Sequence, residues 1–237
     1  MSFYLEISSE ILNPTIFIGK FEIREPVTTL TDFLTACVSG VCFLFHKKNN
    51  SGSFQSKYFQ FYFLLYFIGM TSAAFLGHAL QAYVPKEVKI IGWVFSTTAQ
   101  FFLALGSLYL IKKIINKKLF KILYTIIISQ SLIFIFLMIF PLTSDFKVAQ
   151  VSASFAMIGI IFPIHIYNYY KTRSSGSKWI IFSILYALIP AYVYNNELSI
   201  SIWFNYHDIS HVLMSVFILL MYFATKELVN KEVLKRV

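Results

Sequence analysis

Seven stretches of this 237-residue chain are apolar for about twenty residues each. That is the length a helix needs to cross the hydrocarbon core of a bilayer. They fall at 28–46, 58–82, 89–111, 120–141, 148–169, 179–195 and 206–225. Spanning lipid requires every backbone group to be satisfied within the segment, so such stretches have to be helices. The expected fold is therefore all-α: a polytopic membrane protein of seven transmembrane helices. Only 13% of the residues are charged, against about a quarter in a soluble domain. The links are short and carry turn or charge signals, as in HKKNNSGSFQSK and KTRSSGSK. No repeat or second domain interrupts the pattern. The expected organisation is a short extramembrane segment at 1–27, a seven-helix domain at 28–225 and a basic tail at 226–237. Residues 1–27 mix Glu6, Glu10, Glu22 and Glu25 with short apolar pairs, so they lack the apolar core of a cleavable signal.

The net charge of +9 reports topology rather than nucleic-acid binding. Fifteen of the twenty basic residues lie in the links after spans 1, 3 and 5 and in the C-terminal tail. The remaining five lie at the N-terminus and in the alternate links. Basic residues accumulate on the cytoplasmic side, which predicts an outside N-terminus and a cytoplasmic C-terminus, with a bacterial inner membrane as the expected location. Cys37 and Cys42 lie five apart in one apolar span, which suggests neither a disulfide framework nor a cysteine metal site.

Direction and depth bring four polar side chains to one level. Asp32 lies one to two turns inside span 1, His78 just before the exit of span 2, and His207 and His211 in the first two turns of span 7. At about 1.5 Å per residue all four sit within roughly 10 Å of the outer boundary. Ionisable groups inside a bilayer are costly and mark functional sites by default. His207 and His211 are one helical turn apart, so they share a face. They either grip one metal ion or sit as interfacial histidines beside Trp203 and Tyr206; His78 and Asp32 at the same depth favour the metal. Three imidazoles and an open position form a catalytic zinc arrangement. Asp32 has no basic neighbour in sequence and needs a metal, a cation or a proton. Glu25, Thr28 and Asp32 recur at three- and four-residue spacing, either as a capped helix start or as an acidic stripe aimed at the metal. Asp208 suits a helix N-terminus, with the alternative of orienting an imidazole. His46 and His165, at the opposite ends of spans 1 and 5, are expected at the headgroup interface.

Seven spans, a histidine late in span 2 and HxxxH opening span 7 resemble the superfamily of alkaline ceramidases and progestin/adipoQ receptors. EPVTTLTDF together with NYHDISHVLM is also similar to bacterial membrane proteins placed near that superfamily. The resemblance covers the whole chain as architecture and three short stretches as motif. It implies zinc on His78, His207 and His211, and a metal-activated water attacking the carbonyl of a lipid amide. The superfamily places Ser four residues before the span-2 histidine; here that position is Ala74, with Ser72 and Thr71 nearby. It also places Asp shortly after that histidine; here Asp32 is the replacement, with Glu25 as the second candidate base. The expected catalytic set is thus Asp32, Glu25 and Ser72, and a membrane lipid is the expected substrate or ligand. The alternative is a non-enzymatic seven-span receptor or binding protein with a structural zinc clasp. A transporter is disfavoured, because only Pro163 and Pro190 interrupt the spans, away from the polar cluster.

Overall fold

A computed structural model describes residues 14–49, 52–140 and 142–234, apart from the side chains of 231–234. Among the described residues, seven helices are long and apolar enough to cross a membrane: α1 Pro26–Lys48, α2 Phe54–Ala79, α3 Lys86–Ile111, α4 Lys117–Ile139, α5 Phe146–Thr172, α6 Ser175–Asn195 and α7 Tyr206–Leu234. Each corresponds to one predicted span. Local chemistry explains several of the starts. Pro26 occupies the first turn of α1, where its missing N–H costs nothing. The Ser53 and Asn116 side chains accept from the backbone N–H of Ser56 and Leu119, capping α2 and α4.

The segment before α1 is a hairpin, β1 (Thr15–Ile18) against β2 (Phe21–Arg24), with Thr15 opposite Arg24 and Ile18 opposite Phe21. Its two-residue loop begins with Gly19 at φ +63°, a conformation that favours glycine at the first position of a tight hairpin. The hairpin docks on the exit of α2. Phe21 stacks on Tyr83 at 4.9 Å, and the Glu22 N–H donates to the Tyr83 hydroxyl at 2.6 Å. Residues 1–13, the rest of the expected extramembrane segment, lie outside the described residues.

Helix α1 packs between α2 and α7 with its polarity inverted. Its buried side chains are Thr28, Thr29, Thr31, Asp32, Thr35, Ala36, Ser39, Cys42 and His46. Leu30, Leu34, Val41, Leu44 and Phe45 are exposed. This is the arrangement lipid demands: apolar side chains face the tails, and polar ones meet partners inside the bundle. α2 and α3 approach closely at Gly69 and Gly92, where a Cβ on Gly69 would stand 3.1 Å from the Gly92 carbonyl oxygen. The apolar core lies farther from the hairpin, around Phe59, Phe63, Leu103, Leu108, Phe217 and Met221.

Three spans are irregular. α2 ends in a π-helical segment, Ala73–Ala79, where the Leu80 N–H reaches the Phe75 carbonyl at 2.9 Å. α5 carries a second π segment, Phe155–Ile161, just before Pro163, where the wider turn accommodates a ring that an α turn would clash with. α6 breaks at Ala187, three residues ahead of Pro190. The expectation that interruptions lie away from the polar cluster is thus corrected: the first π segment contains His78. His46 and His165 also differ from expectation. They are 2% and 0% exposed, bonded within the bundle rather than held in a headgroup layer.

Candidate metal centre

His78 lies in the π segment of α2, His207 and His211 in the first turns of α7, and Asp32 in α1. A π turn carries an extra residue, so it rotates whatever follows it out of α register. Thr71, seven residues before His78, would share its face in an unbroken α-helix; its hydroxyl donates to the Phe67 carbonyl. π turns recur at functional sites for this reason: they re-aim one side chain without ending the helix.

The three imidazoles form a nearly equilateral triangle. Ring centroids are 6.0 Å apart for His78–His207, 6.2 Å for His78–His211 and 6.3 Å for His207–His211. Zinc–nitrogen bonds of about 2.0–2.1 Å in tetrahedral geometry would draw ring centres to roughly 5 Å. The triangle is therefore about 1 Å wider than ligation requires. Among the described residues, no group of three or more His, Cys, Asp or Glu side chains is placed to hold a metal ion as it stands.

Asp32 lies between His78 and His211 and is 1% exposed. Its Oδ2 is 3.4 Å from His78 Nε2, and its Oδ1 is 3.1 Å from His211 Nε2. These approaches are close but not aligned as hydrogen bonds, so both carboxylate oxygens are buried without a hydrogen-bond partner. A buried carboxylate in that state is costly.

The carboxylates around it are placed differently. Glu25 precedes α1 in the left-handed region at φ 47°, unusual for a residue with a Cβ. Its N–H donates to the Pro14 carbonyl at 2.7 Å, and its own carbonyl accepts from the Thr29 N–H at 2.8 Å. That bend sends the side chain over the end of the bundle, where Oε2 accepts from His78 Nδ1 at 2.6 Å and from the Gln81 amide. A carboxylate only accepts, so Nδ1 of His78 carries the proton and Nε2 is the atom turned toward Asp32. Burial opposes the charge of Glu25, but the hydrogen bond and charge of His78 with the Gln81 amide outweigh it and hold the carboxyl below its ordinary range. Lys89 at the start of α3 extends the chain, donating to Gln81 Oε1 at 3.3 Å.

Asn205 and Asp208 begin α7 with a reciprocal cap. Asn205 Oδ1 accepts from the His207 N–H at 2.8 Å, and Asp208 Oδ2 accepts from the Asn205 N–H at 2.7 Å. Asp208 also reaches the second histidine indirectly. Its Oδ1 is 3.4 Å from the Thr31 hydroxyl, which stands 3.3 Å from His211 Nδ1. The expected place of Asp208 at the helix start is seen, and its one approach to an imidazole runs through Thr31. His207 packs edge-on to Tyr194 at 5.3 Å and against Tyr206 at 4.2 Å.

The structure brings His78, His207, His211, Asp32 and Glu25 together. The Ser72 hydroxyl donates to the Ile68 carbonyl of its own helix at 2.9 Å. Gln81, Lys89, Thr31 and Asn205 join the site without having been expected there. Of these, only Asn205, an amide before an apolar helix, carried a signal as a cap.

A bundle of seven membrane-spanning helices with a histidine–carboxylate cluster at one end defines the class of protein. The model of a family of unknown function (DUF6962) matches residues 27–230, and the chain belongs to that family. No curated protein and no solved structure matched the chain.

Proposed function

We propose that the hairpin end of the bundle holds a zinc ion on His78, His207 and His211, and that the protein is a zinc-dependent intramembrane hydrolase acting on a lipid amide. The observation that carries this reading is Asp32, a carboxylate with two orphaned oxygens between two imidazole Nε2 atoms. Three imidazoles and a carboxylate suit zinc, and two further features suit the ligand role. Glu25 holds the proton of His78 on Nδ1, leaving Nε2 available. Thr31, backed by Asp208, stands at Nδ1 of His211 and leaves Nε2 directed at Asp32. Such partners fix ring orientation and raise ligand basicity. Bound there, the ion would supply an acidified water and a Lewis acid for a carbonyl. Asp32 would take the proton from that water on a carboxylate oxygen, with Glu25 as a holder of His78 rather than the base.

The basic-residue asymmetry supports an outside N-terminus and a cytoplasmic C-terminus, with a bacterial inner membrane as the setting. The site then lies at the outer headgroup level, where the linkage of a membrane lipid sits.

A second reading is favoured by the same carboxylate. Asp32 stands within 3.4 Å of two histidine nitrogens, close enough to become a fourth ligand, and a four-ligand site is the structural kind. The chain would then be a receptor or binding protein clasped by zinc. Elemental mass spectrometry of detergent-purified protein tests the shared element, and about one zinc per chain is expected. Asp32→Asn separates the two readings. A base leaves metal content unchanged and abolishes turnover of a lipid amide, whereas a fourth ligand lowers metal content. A zinc-free, folded wild type after zinc is supplied would remove both.

A further inference from the structure

The segment between α6 and α7 is built differently from an ordinary water-exposed loop. α6 ends with Glu197 in the left-handed region at φ 51°, the Leu198 N–H returning to the Val193 carbonyl and the Glu197 N–H to the Tyr194 carbonyl. After that glutamate the chain reads LSISIWF, seven residues without a charge. Leu198, Ile200, Ile202 and Trp203 are all exposed, Ile200 by 77%. Part of the backbone meanwhile bonds within the segment. The N–H groups of Ile200 and Ser201 donate to the Phe204 carbonyl, the Phe204 N–H to Ser201 Oγ and the Tyr206 N–H to Ser199 Oγ. Exposed apolar side chains on a partly self-bonded backbone suit the interfacial edge of a bilayer, where the remaining backbone groups still meet headgroups and water.

Two observations identify what covers this surface. It is continuous with lipid-facing surface on both sides: Leu188, Ile189 and Tyr192 of α6 are exposed before it, and Val212 and Val216 of α7 after it. Trp203 and Tyr206 are also the residue types that settle at a membrane interface. Between the segment and His207 lies an open cavity of about 450 Å³, lined by Ser199–Ile202, Asn205, Tyr206 and His207. Its polar lining is two hydroxyls, an amide, a phenol and an imidazole, with no lysine, arginine or carboxylate.

We propose that residues 198–204 lie in the leaflet at the hairpin end and that the cavity is a lateral port, admitting a membrane lipid sideways to His207. The lipid's ester or amide linkage meets Ser199, Ser201 and Asn205, while its chain runs along Ile200 and Ile202. Embedding and entry stand on the loop itself; delivery of a substrate rests on the proposed hydrolase reading.

The test uses full-length protein with Trp93→Phe and Trp179→Phe, so that Trp203 is the only remaining tryptophan, reconstituted in phosphatidylcholine vesicles. Phosphatidylcholine brominated near the carbonyl end of its chains should quench Trp203 emission at least twofold. Bromine at the chain ends should quench much less, and aqueous iodide little. Strong iodide quenching with none from either brominated lipid would overturn the proposal. Ile200→Ser/Ile202→Ser should weaken the lipid quenching while leaving metal content unchanged. Entry is read separately, with phosphatidylcholine bearing a diazirine near its carbonyl. Label should appear in the peptide containing 198–207, and label confined to the other spans would overturn the port. Zinc measured on the same vesicles keeps the readings apart, because quenching and labelling in zinc-free protein would sustain the port and remove the hydrolase.

Discussion

The bundle buries histidines in two quite different settings, and the contrast indicates which one is a site. His165 of α5 is 0% exposed, and each of its protons and lone pairs has a place. Ser107 donates to the Leu103 carbonyl at 2.8 Å, so its oxygen accepts from His165 Nε2 at 3.0 Å. His165 Nδ1 then accepts from Ser177 at 2.9 Å, and Ser177 accepts from the Asn168 amide at 2.7 Å. The network ties α3, α5 and α6 together with a neutral imidazole and no carboxylate among these partners. At the hairpin end, three histidines share a small volume with Glu25, Asp32 and Asp208, and both oxygens of Asp32 are buried with no hydrogen-bond partner. Burial of a titratable group is common to both. Unbalanced acceptors belong to one alone, and a cation or a proton would balance them.

The largest difference between the two clusters should appear in metal binding. His207→Ala/His211→Ala is expected to reduce bound zinc from about one per chain to none, measured by elemental mass spectrometry. His165→Ala should keep the zinc and lower stability instead, by about 1–3 kcal/mol, because Ser107 and Ser177 lose their partner in a water-free interior. Thermal melts of the two variants beside wild type read the second effect. Zinc loss on His165→Ala without unfolding would erase the distinction.

A subtler test concerns the residues behind the proposed ligands. Glu25→Gln leaves an acceptor at His78 Nδ1 but removes the charge that favours its proton there. Loss of a carboxylate behind a metal-binding histidine costs about 10- to 100-fold in affinity. Competition with a zinc chelator should show that loss, whereas Asn168→Ala, the equivalent support in the neutral cluster, should not alter the chelator midpoint.

Much of this was legible in the sequence, and what was not has a geometric cause. Seven spans follow from length and hydropathy, which survive any packing arrangement. Depth along a span is equally legible, and it placed Asp32, His78, His207 and His211 at one level. Facing is not: His46 and His165 lie where depth alone says interface, but their bonds to Thr225 and to Ser107 and Ser177 turn them inward. Glu25 was assigned by α-helical spacing to the face of Thr28 and Asp32. The left-handed bend at its own backbone instead places it before the helix and over His78. The π segment that aims His78 leaves no compositional trace, since AAFLGHA is compatible with a regular helix. The hairpin was readable in principle, from a Gly-Lys pair between the short apolar-rich runs TIFI and FEIR, but length and hydropathy do not signal so short a sheet.

The weakest expected effect marks how far the support around the proposed metal centre extends. Thr31 links Asp208 to His211, but its hydroxyl has a single proton and three neighbours: the Thr28 carbonyl at 3.1 Å, Asp208 Oδ1 at 3.4 Å and His211 Nδ1 at 3.3 Å. All three are long for a hydroxyl contact, whose usual range is about 2.5–3.0 Å. Thr31→Val keeps the shape and removes the link. A neutral, stretched hydrogen bond contributes about 0.5–1 kcal/mol, so zinc affinity should fall two- to fivefold, less than for Glu25→Gln. A loss as large as that of Glu25→Gln would mean that Asp208 acts on His211 through Thr31 as strongly as Glu25 acts on His78, making the support of the two imidazoles symmetric. No loss would leave Asp208 as a helix cap alone, with His211 held only by the packing of α1 against α7.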